Sequence, residues 1–160
     1  MVDAERERRA VVTGSAAPSG LPEWTFGDSP ELADRLAAVI VAGVKTATCS
    51  HAGIIPPPAV GERGYLMSGD GRRLAIIETK TVTPMKFCDV TQELAVLEGE
   101  GDLTLDYWQR AHREYFTRLG VFAEDMDILF ETLRLVEVLD SAFAAEAPEH
   151  LARERAEAAT

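Results

Sequence analysis

With 160 residues, 46% of them apolar and 27% charged, the chain can form one domain with its own core and has the composition of an ordinary globular protein. A net charge of −11 repels the phosphate backbone, which excludes loose binding to long nucleic acid or double-stranded DNA but not a small nucleotide or a few RNA residues in a local basic pocket. No apolar run spans a bilayer, the segment 1–9 has no apolar signal core, and two cysteines make no disulfide framework, so a cytoplasmic protein without a membrane partner is expected.

Residues 1–20 read as a flexible tail, charged and then turn-prone, with little apolar surface to offset the entropy of ordering. A domain is expected over 21–140. Asp28-Ser29-Pro30-Glu31 predicts a helix start: a capping side chain, proline in the first turn and an acid at the positive end. Leu32, Leu36, Val39 and Ile40 then form a stripe at helical spacing, and Gly43 is the stop after a helix reaching about Ala42. Thr46 to Ser50 is β-prone, and Ile54-Ile55-Pro56-Pro57-Pro58 reads as a stiff extended link. Val60-Gly61-Glu62 turns into a strand over 63–67, and Ser68-Gly69-Asp70-Gly71 signals a hairpin. The return strand runs from Arg72 to about Val82, where Pro84 ends or edges it, and Lys86-Phe87-Cys88 forms another short strand.

A short helix is predicted between Asp89 and Leu97, capped by Thr91 or Asp89. In Glu98-Gly99-Glu100-Gly101-Asp102, two glycines among three acids point to a tightly held loop. A helix from about Thr104 carries Tyr107, Trp108, Ala111, Tyr115, Phe116 and Leu119, read mostly as core. The last strand is expected over 128–139. Residues 141–160, rich in Ala, Glu and Arg, form either a tail or a helix, exposed or docked. Too few βα units alternate for a doubly wound sheet. An α+β fold with a small curved sheet or barrel and helices at its ends fits better, and the oligomeric state is left open.

Chemistry concentrates in Gly43-x-Lys45-x-x-Thr48. Lys45 and Thr48 point to opposite faces if the segment is extended and reach one site if it turns. A cation and a hydroxyl at a helix-to-strand junction can hold a phosphate or carbonyl oxygen, or pair a nucleophile with its activator. The plain alternative is a surface lysine beside a Thr-rich strand. The segment is not a phosphate loop, because Val44 separates Gly43 from Lys45. Cys49, His51, Cys88 and His112 match no usual zinc spacing, so no metal and no cofactor is expected. Arg63, Arg72 and Arg73 either line a basic side of the cleft or are solvated.

The same motif, together with Phe26-Gly27-Asp28-Ser29-Pro30, Ile77-Glu78-Thr79 and the 98–102 loop followed by Tyr107-Trp108 and His112, resembles the ASCH domain in its bacterial stand-alone form, over roughly 24–139. The resemblance implies a PUA-like small β-barrel with flanking helices, a Lys/Thr-lined cleft, and RNA or a modified nucleoside as partner. It implies a small hydrolase, either a ribonuclease or an N4-acetylcytidine amidohydrolase, with a non-catalytic RNA- or nucleotide-binding module as the alternative. A protein-interaction domain using 141–160 is a third reading. The amidohydrolase branch uses a lysine, a threonine and a glutamate as base, nucleophile and acid. Lys45 and Thr48 match the first two, and Glu100 is assigned the third with Glu98 as the alternative. Gly43, Thr46, Ser50, Arg63, Glu98, Trp108 and His112 are the expected substrate-binding residues. For the ribonuclease branch Lys45 matches the lysine, and no tyrosine or serine is assigned.

A free lysine titrates near 10.4 and must fall by about 3 units, roughly 4 kcal/mol, to serve as a base at neutral pH. Burial favours that fall and an ionised Glu100 opposes it. Either Lys45 is neutral and Glu100 protonated, or Lys45 stays charged and holds an anion or polarised oxygen.

Overall fold

A computed structural model describes residues 20–53 and 56–160; the predicted tail, apart from Gly20, and the Ile54-Ile55 part of the extended link lie outside the described residues. The element order is β1 (Glu23–Trp24), α1 (Pro30–Val41), β2 (Ala47–His51), β3 (Arg63–Met67), β4 (Arg73–Lys86), a 3-10 turn (Phe87–Asp89), α2 (Gln92–Leu97), α3 (Leu105–Arg118), β5 (Asp127–Val138) and α4 (Ser141–Ala158). Local chemistry accounts for the helix starts. Ser29, Thr91, Thr104 and Asp140 each accept a hydrogen bond from the backbone N–H three residues on, which satisfies an orphan donor of the first turn. Of the two caps proposed for α2, Thr91 is the one used.

The five strands form one mixed sheet in the order β1-β3-β4-β5-β2. Only the β1–β3 pair is parallel. Its long centre is β4 against β5, with register shifts at Ile76/Ile77 and Thr79/Thr81 that increase local twist. The α+β expectation holds. The sheet is open, because its edge strands β1 and β2 do not pair with each other among the described residues.

Two strand boundaries differ from expectation. Pro84 does not end β4; it lies within the strand, opposite Leu129. Beyond Glu78 the strand has no β3 partner, so a residue without an N–H is tolerated on that free edge. Lys86 closes β4, and Phe87–Asp89 is a 3-10 turn rather than a strand, held by Phe87 N–H to Met126 O at 2.9 Å.

Two cores result. One packs α1 and α4 on the sheet through Trp24, Phe26, Leu36, Leu66, Ile77 and Phe143. The other is aromatic, with Phe87, Trp108 and Phe116 buried against Ile128 and Met126. Full burial of each such side chain stabilises the fold by roughly 1.5–3 kcal/mol. Phe143 and Ala147 of α4 belong to the first core, so the segment 141–158 is a docked helix.

Candidate functional site

The site begins at the end of α1. Gly43, at φ +79°, turns the chain without a Cβ penalty, and the N–H groups of Val44 and Lys45 both donate to Val39 O. This turn sends Lys45 inward, where it is only 2% exposed. The 98–102 loop closes over it. Gly99 sits at φ +66°, and a Cβ there would lie 2.7 Å from Val44 O and 2.8 Å from Lys45 N, so only glycine permits the approach. Lys45 Nζ donates to Glu100 Oε1 at 3.1 Å, Glu98 Oε2 at 3.4 Å and Glu98 O at 3.4 Å.

Helix α3 supplies the opposite wall. Trp108, His112 and Phe116 recur every fourth residue and are buried. His112 stacks on Trp108 at 4.3 Å, donates from Nδ1 to Trp108 O at 2.8 Å, and places Nε2 3.0 Å from Glu98 Oε2. Glu98 is thus shared by an ammonium and an imidazole. Its Oε1 and the Trp108 Nε1 are buried without a hydrogen-bond partner of good geometry.

Burial alone would raise the Glu98 carboxyl; His112 and Lys45 beside it win and hold it at about 2. Burial would lower Lys45, but Glu100 and then Glu98 raise it. Burial would likewise lower His112, and Glu98 carries it well above its ordinary value. Lys45 and His112 are therefore both charged at neutral pH, and a neutral Lys45 acting as resting base is disfavoured. Cys49 is pushed up to about 12 by burial and Glu98, so its thiol is protonated. Glu131 lies directly opposite Thr48 on β5; burial first, then Glu62 and Glu98, raise its carboxyl to about 7.

Beside this cluster lies a cavity of about 320 Å³, whose lining includes neither Lys45 nor Glu131. Thr48, Cys49, Glu98, Glu100 and His112 line one side. A second stripe of α3, adjacent to the buried one, lines the other: Tyr107, Ala111, Glu114, Tyr115 and Arg118. Arg35 of α1 and Glu154 of α4 complete the rim. Glu154 braces the loop, with Oε1 accepting from Gly101 N at 2.9 Å and Oε2 from Arg35 Nε at 2.9 Å. Arg155 Nη1 donates to Gly99 O at 3.0 Å and also to Gly101 O.

The structure thus brings Thr48, Glu98, Glu100 and His112 together on the cavity, with Lys45 behind its wall. Other expected residues sit elsewhere. Gly43 is exposed at the helix end. Thr46 Oγ1 donates to Leu97 O at 3.3 Å. Ser50 is buried with its Oγ unpartnered. Trp108 lies beneath His112 and is inaccessible to a base. Arg63 pairs with Glu78 at 2.7 Å on the hairpin, outside the cavity lining. Arg72 pairs with Asp70 and Asp140, and Arg73 with Glu23, which matches the solvated reading. Of the four metal-type residues weighed in the sequence, Cys88 is exposed and His51 Nδ1 accepts from Gly53 N, so only Cys49 and His112 converge, joined by Glu98.

The sequence offered Cys49 only within a zinc set of unusual spacing, gave no role to Arg35 or Glu154, and left Tyr107, Ala111 and Tyr115 read mostly as core. The spacing of 107, 111, 114, 115 and 118, with Glu114 and Arg118 interleaved, was the available signal of a half-polar helix face. Cys49 directly follows Thr48, whereas nothing local joins Glu154 to the site.

A model of the ASCH domain matches residues 22–137. The chain is similar to the crystal structure of an ASCH domain from Lactobacillus crispatus, at 33% identity and a TM-score of 0.68, covering 72% of this chain and 79% of that one. It is also similar to a protein from Enterococcus faecalis carrying the label DUF984, at 34% identity and a TM-score of 0.68, covering 75% of this chain and 78% of that one. No curated protein matches the chain.

Proposed function

The chain belongs to the ASCH domain family, which has a PUA-like fold, and from that premise we propose that it is a small hydrolase acting on a modified nucleoside, or a nucleotide of single-stranded RNA, held in the cavity. One observation supports this most: Thr48, Glu98, Glu100 and His112, drawn from β2, the 98–102 loop and α3, converge on one cavity over a buried, charged Lys45. Buried charge is costly to maintain, and its concentration at a cleft is the usual mark of chemistry rather than of stability.

Size and charge narrow the ligand. At about 320 Å³ the cavity lies at the small end of ligand sites. Its lining carries Arg35, Arg118 and His112 against Glu98, Glu100, Glu114 and Glu154, so it has no positive excess for a run of phosphates. An uncharged nucleoside such as N4-acetylcytidine fits this balance better than an RNA strand.

In this reading Thr48 presents its hydroxyl to the scissile carbonyl. Glu131, opposite it across the β2–β5 ladder and poised near 7, accepts the proton. Glu131 then passes that proton to the leaving nitrogen, Glu100, facing the cavity, accepts a hydrogen bond from the leaving group, and water hydrolyses the ester left on Thr48. Lys45 holds Glu98 and Glu100 in place and is a positioning residue. A non-catalytic binding module remains the second reading, favoured by one observation: Thr48 Oγ1 makes no hydrogen bond to a base among the described residues.

The test incubates wild type, Thr48→Ala, Glu131→Gln and Glu100→Gln with N4-acetylcytidine and with a short single-stranded RNA, and reads products by mass. Loss of product in folded variants supports the hydrolase and selects its substrate. Saturable binding without product from wild type selects the binding module. Undiminished turnover in all three variants overturns the assignment of the site.

A further inference from the structure

The geometry points to Cys49, Glu98 and His112 as a binding site for one thiophilic divalent cation of the zinc class, with its open coordination position on the cavity. One ligand atom from each of the three lies within 4.8 Å of the others, a spacing that small rotamer changes close to coordination distance. All three residues line the cavity, so a fourth ligand, water or substrate, would enter from that side.

Two independent features favour a metal over a plain ion pair. His112 Nδ1 donates to Trp108 O at 2.8 Å, and the stacked indole fixes the ring plane. A backbone carbonyl on one ring nitrogen is the usual orienting partner of a metal-bound imidazole and turns Nε2 toward the site. Glu98 is 1% exposed and has one under-used oxygen: Oε2 is engaged by Lys45 and His112, while Oε1 is buried with no hydrogen bond of good geometry, the Trp108 indole being the further donor that reaches the carboxylate. A buried carboxylate oxygen that no donor approaches in good alignment is under-satisfied, and a cation would satisfy it.

The exchange balances. The incoming M²⁺ displaces the Nε2 proton of the imidazolium and the thiol proton of Cys49, giving metal–nitrogen and metal–sulfur bonds and two released protons. The net charge of the cluster with Lys45, Glu98 and Glu100 is unchanged. A sulfur, nitrogen and oxygen donor set selects Zn²⁺ or Co²⁺ over Mg²⁺ or Ca²⁺. The site stands independently of any catalytic activity, because its test needs no substrate.

The experiment titrates the full chain, freed of metal and reduced, with Co²⁺ and then Zn²⁺. The expected result is one equivalent of Co²⁺ with a thiolate-to-cobalt band in the near ultraviolet and visible bands of tetrahedral intensity, all bleached by Zn²⁺. Cys49→Ser abolishes the ultraviolet band, His112→Gln weakens Co²⁺ binding at least about 10-fold, and Cys88→Ser changes neither. Far-ultraviolet circular dichroism confirms folding, and if His112→Gln unfolds, Cys49→Ser decides alone. Absence of the band in wild type overturns the site, as does a band that survives Cys49→Ser or is lost in Cys88→Ser.

Discussion

Glu78 and Glu98 are each shared by two cations, and almost everything else about them differs. Glu78 takes Arg63 at 2.7 Å and Arg134 at 3.1 Å across the outer face of the sheet, between arginines 48% and 51% exposed. Glu98 takes His112 at 3.0 Å and Lys45 at 3.4 Å with 1% of its side chain exposed. Water already solvates the first set, so making the pairs changes little. The second set has lost its water, and each member depends on the others to stay charged. The same two-cation arrangement is surface decoration in one place and a mutually dependent cluster in the other.

The largest effect is expected on removing the buried cation. Lys45→Met strands Glu98 and Glu100 together and should lower stability by about 3–5 kcal/mol, read from urea unfolding. Loss below 1 kcal/mol would make the two regions equivalent. Next comes pH. Glu98 is depressed from its ordinary 4.5 to about 2, so its contribution, about 3 kcal/mol, is present above 4.5 and disappears as pH falls toward 2. His112 is raised, so its contribution is complete below its ordinary 6.5 and disappears as pH rises through its elevated value. Urea midpoints from pH 2 to 9 should show an acid limb below about 4.5 that Glu98→Gln removes, and a decline from about 4.5 to 7, where the unfolded chain ionises Glu131 before the folded one does, that Glu131→Gln flattens.

A smaller change should follow from unfastening the 98–102 loop. Glu154→Ala should cost about 2 kcal/mol, the scale of charge-assisted hydrogen bonds, and speed amide exchange at Gly101. Unchanged exchange would show that the loop holds without α4. Thr48→Val should shift stability by less than about 1 kcal/mol while abolishing turnover, which in wild type should rise with pH through about 7 as Glu131 ionises. A flat profile would remove Glu131 from the reaction. Glu78→Gln should leave the melting temperature indistinguishable from wild type.

The elements whose signals are local were legible in the sequence. Ser29-Pro30 with Gly43 framed α1, Ser68-Gly69-Asp70-Gly71 made the hairpin, and Thr104 started α3. Pro84 was read as ending or edging its strand, and the edge reading holds; the choice between the two depends on which strand lies alongside, a tertiary fact. The docking of α4 was hidden by an Ala-rich composition that gives little contrast between faces. Lys45 and Thr48 were found through a compact motif. The sequence did not show that Lys45 would be sealed behind its own carboxylates, because burial of a charge is decided by the loop that folds over it. Cys49 beside His112 required β2 and α3, 63 residues apart at these positions, to meet in the fold.

The brace from α4 also sets a timetable for biosynthesis. Gly101 is translated 53 residues before Glu154, which fastens it. At about 5–20 residues per second, the loop spends roughly 3–10 s outside the ribosome's active centre before its fastener exists. The nascent chain therefore carries its acidic loop and Lys45 unassembled through that interval. The pocket is fastened only after α4 has been synthesised, so a chain stalled before α4 would lack Glu154 and Arg155, the two residues that brace the 98–102 loop.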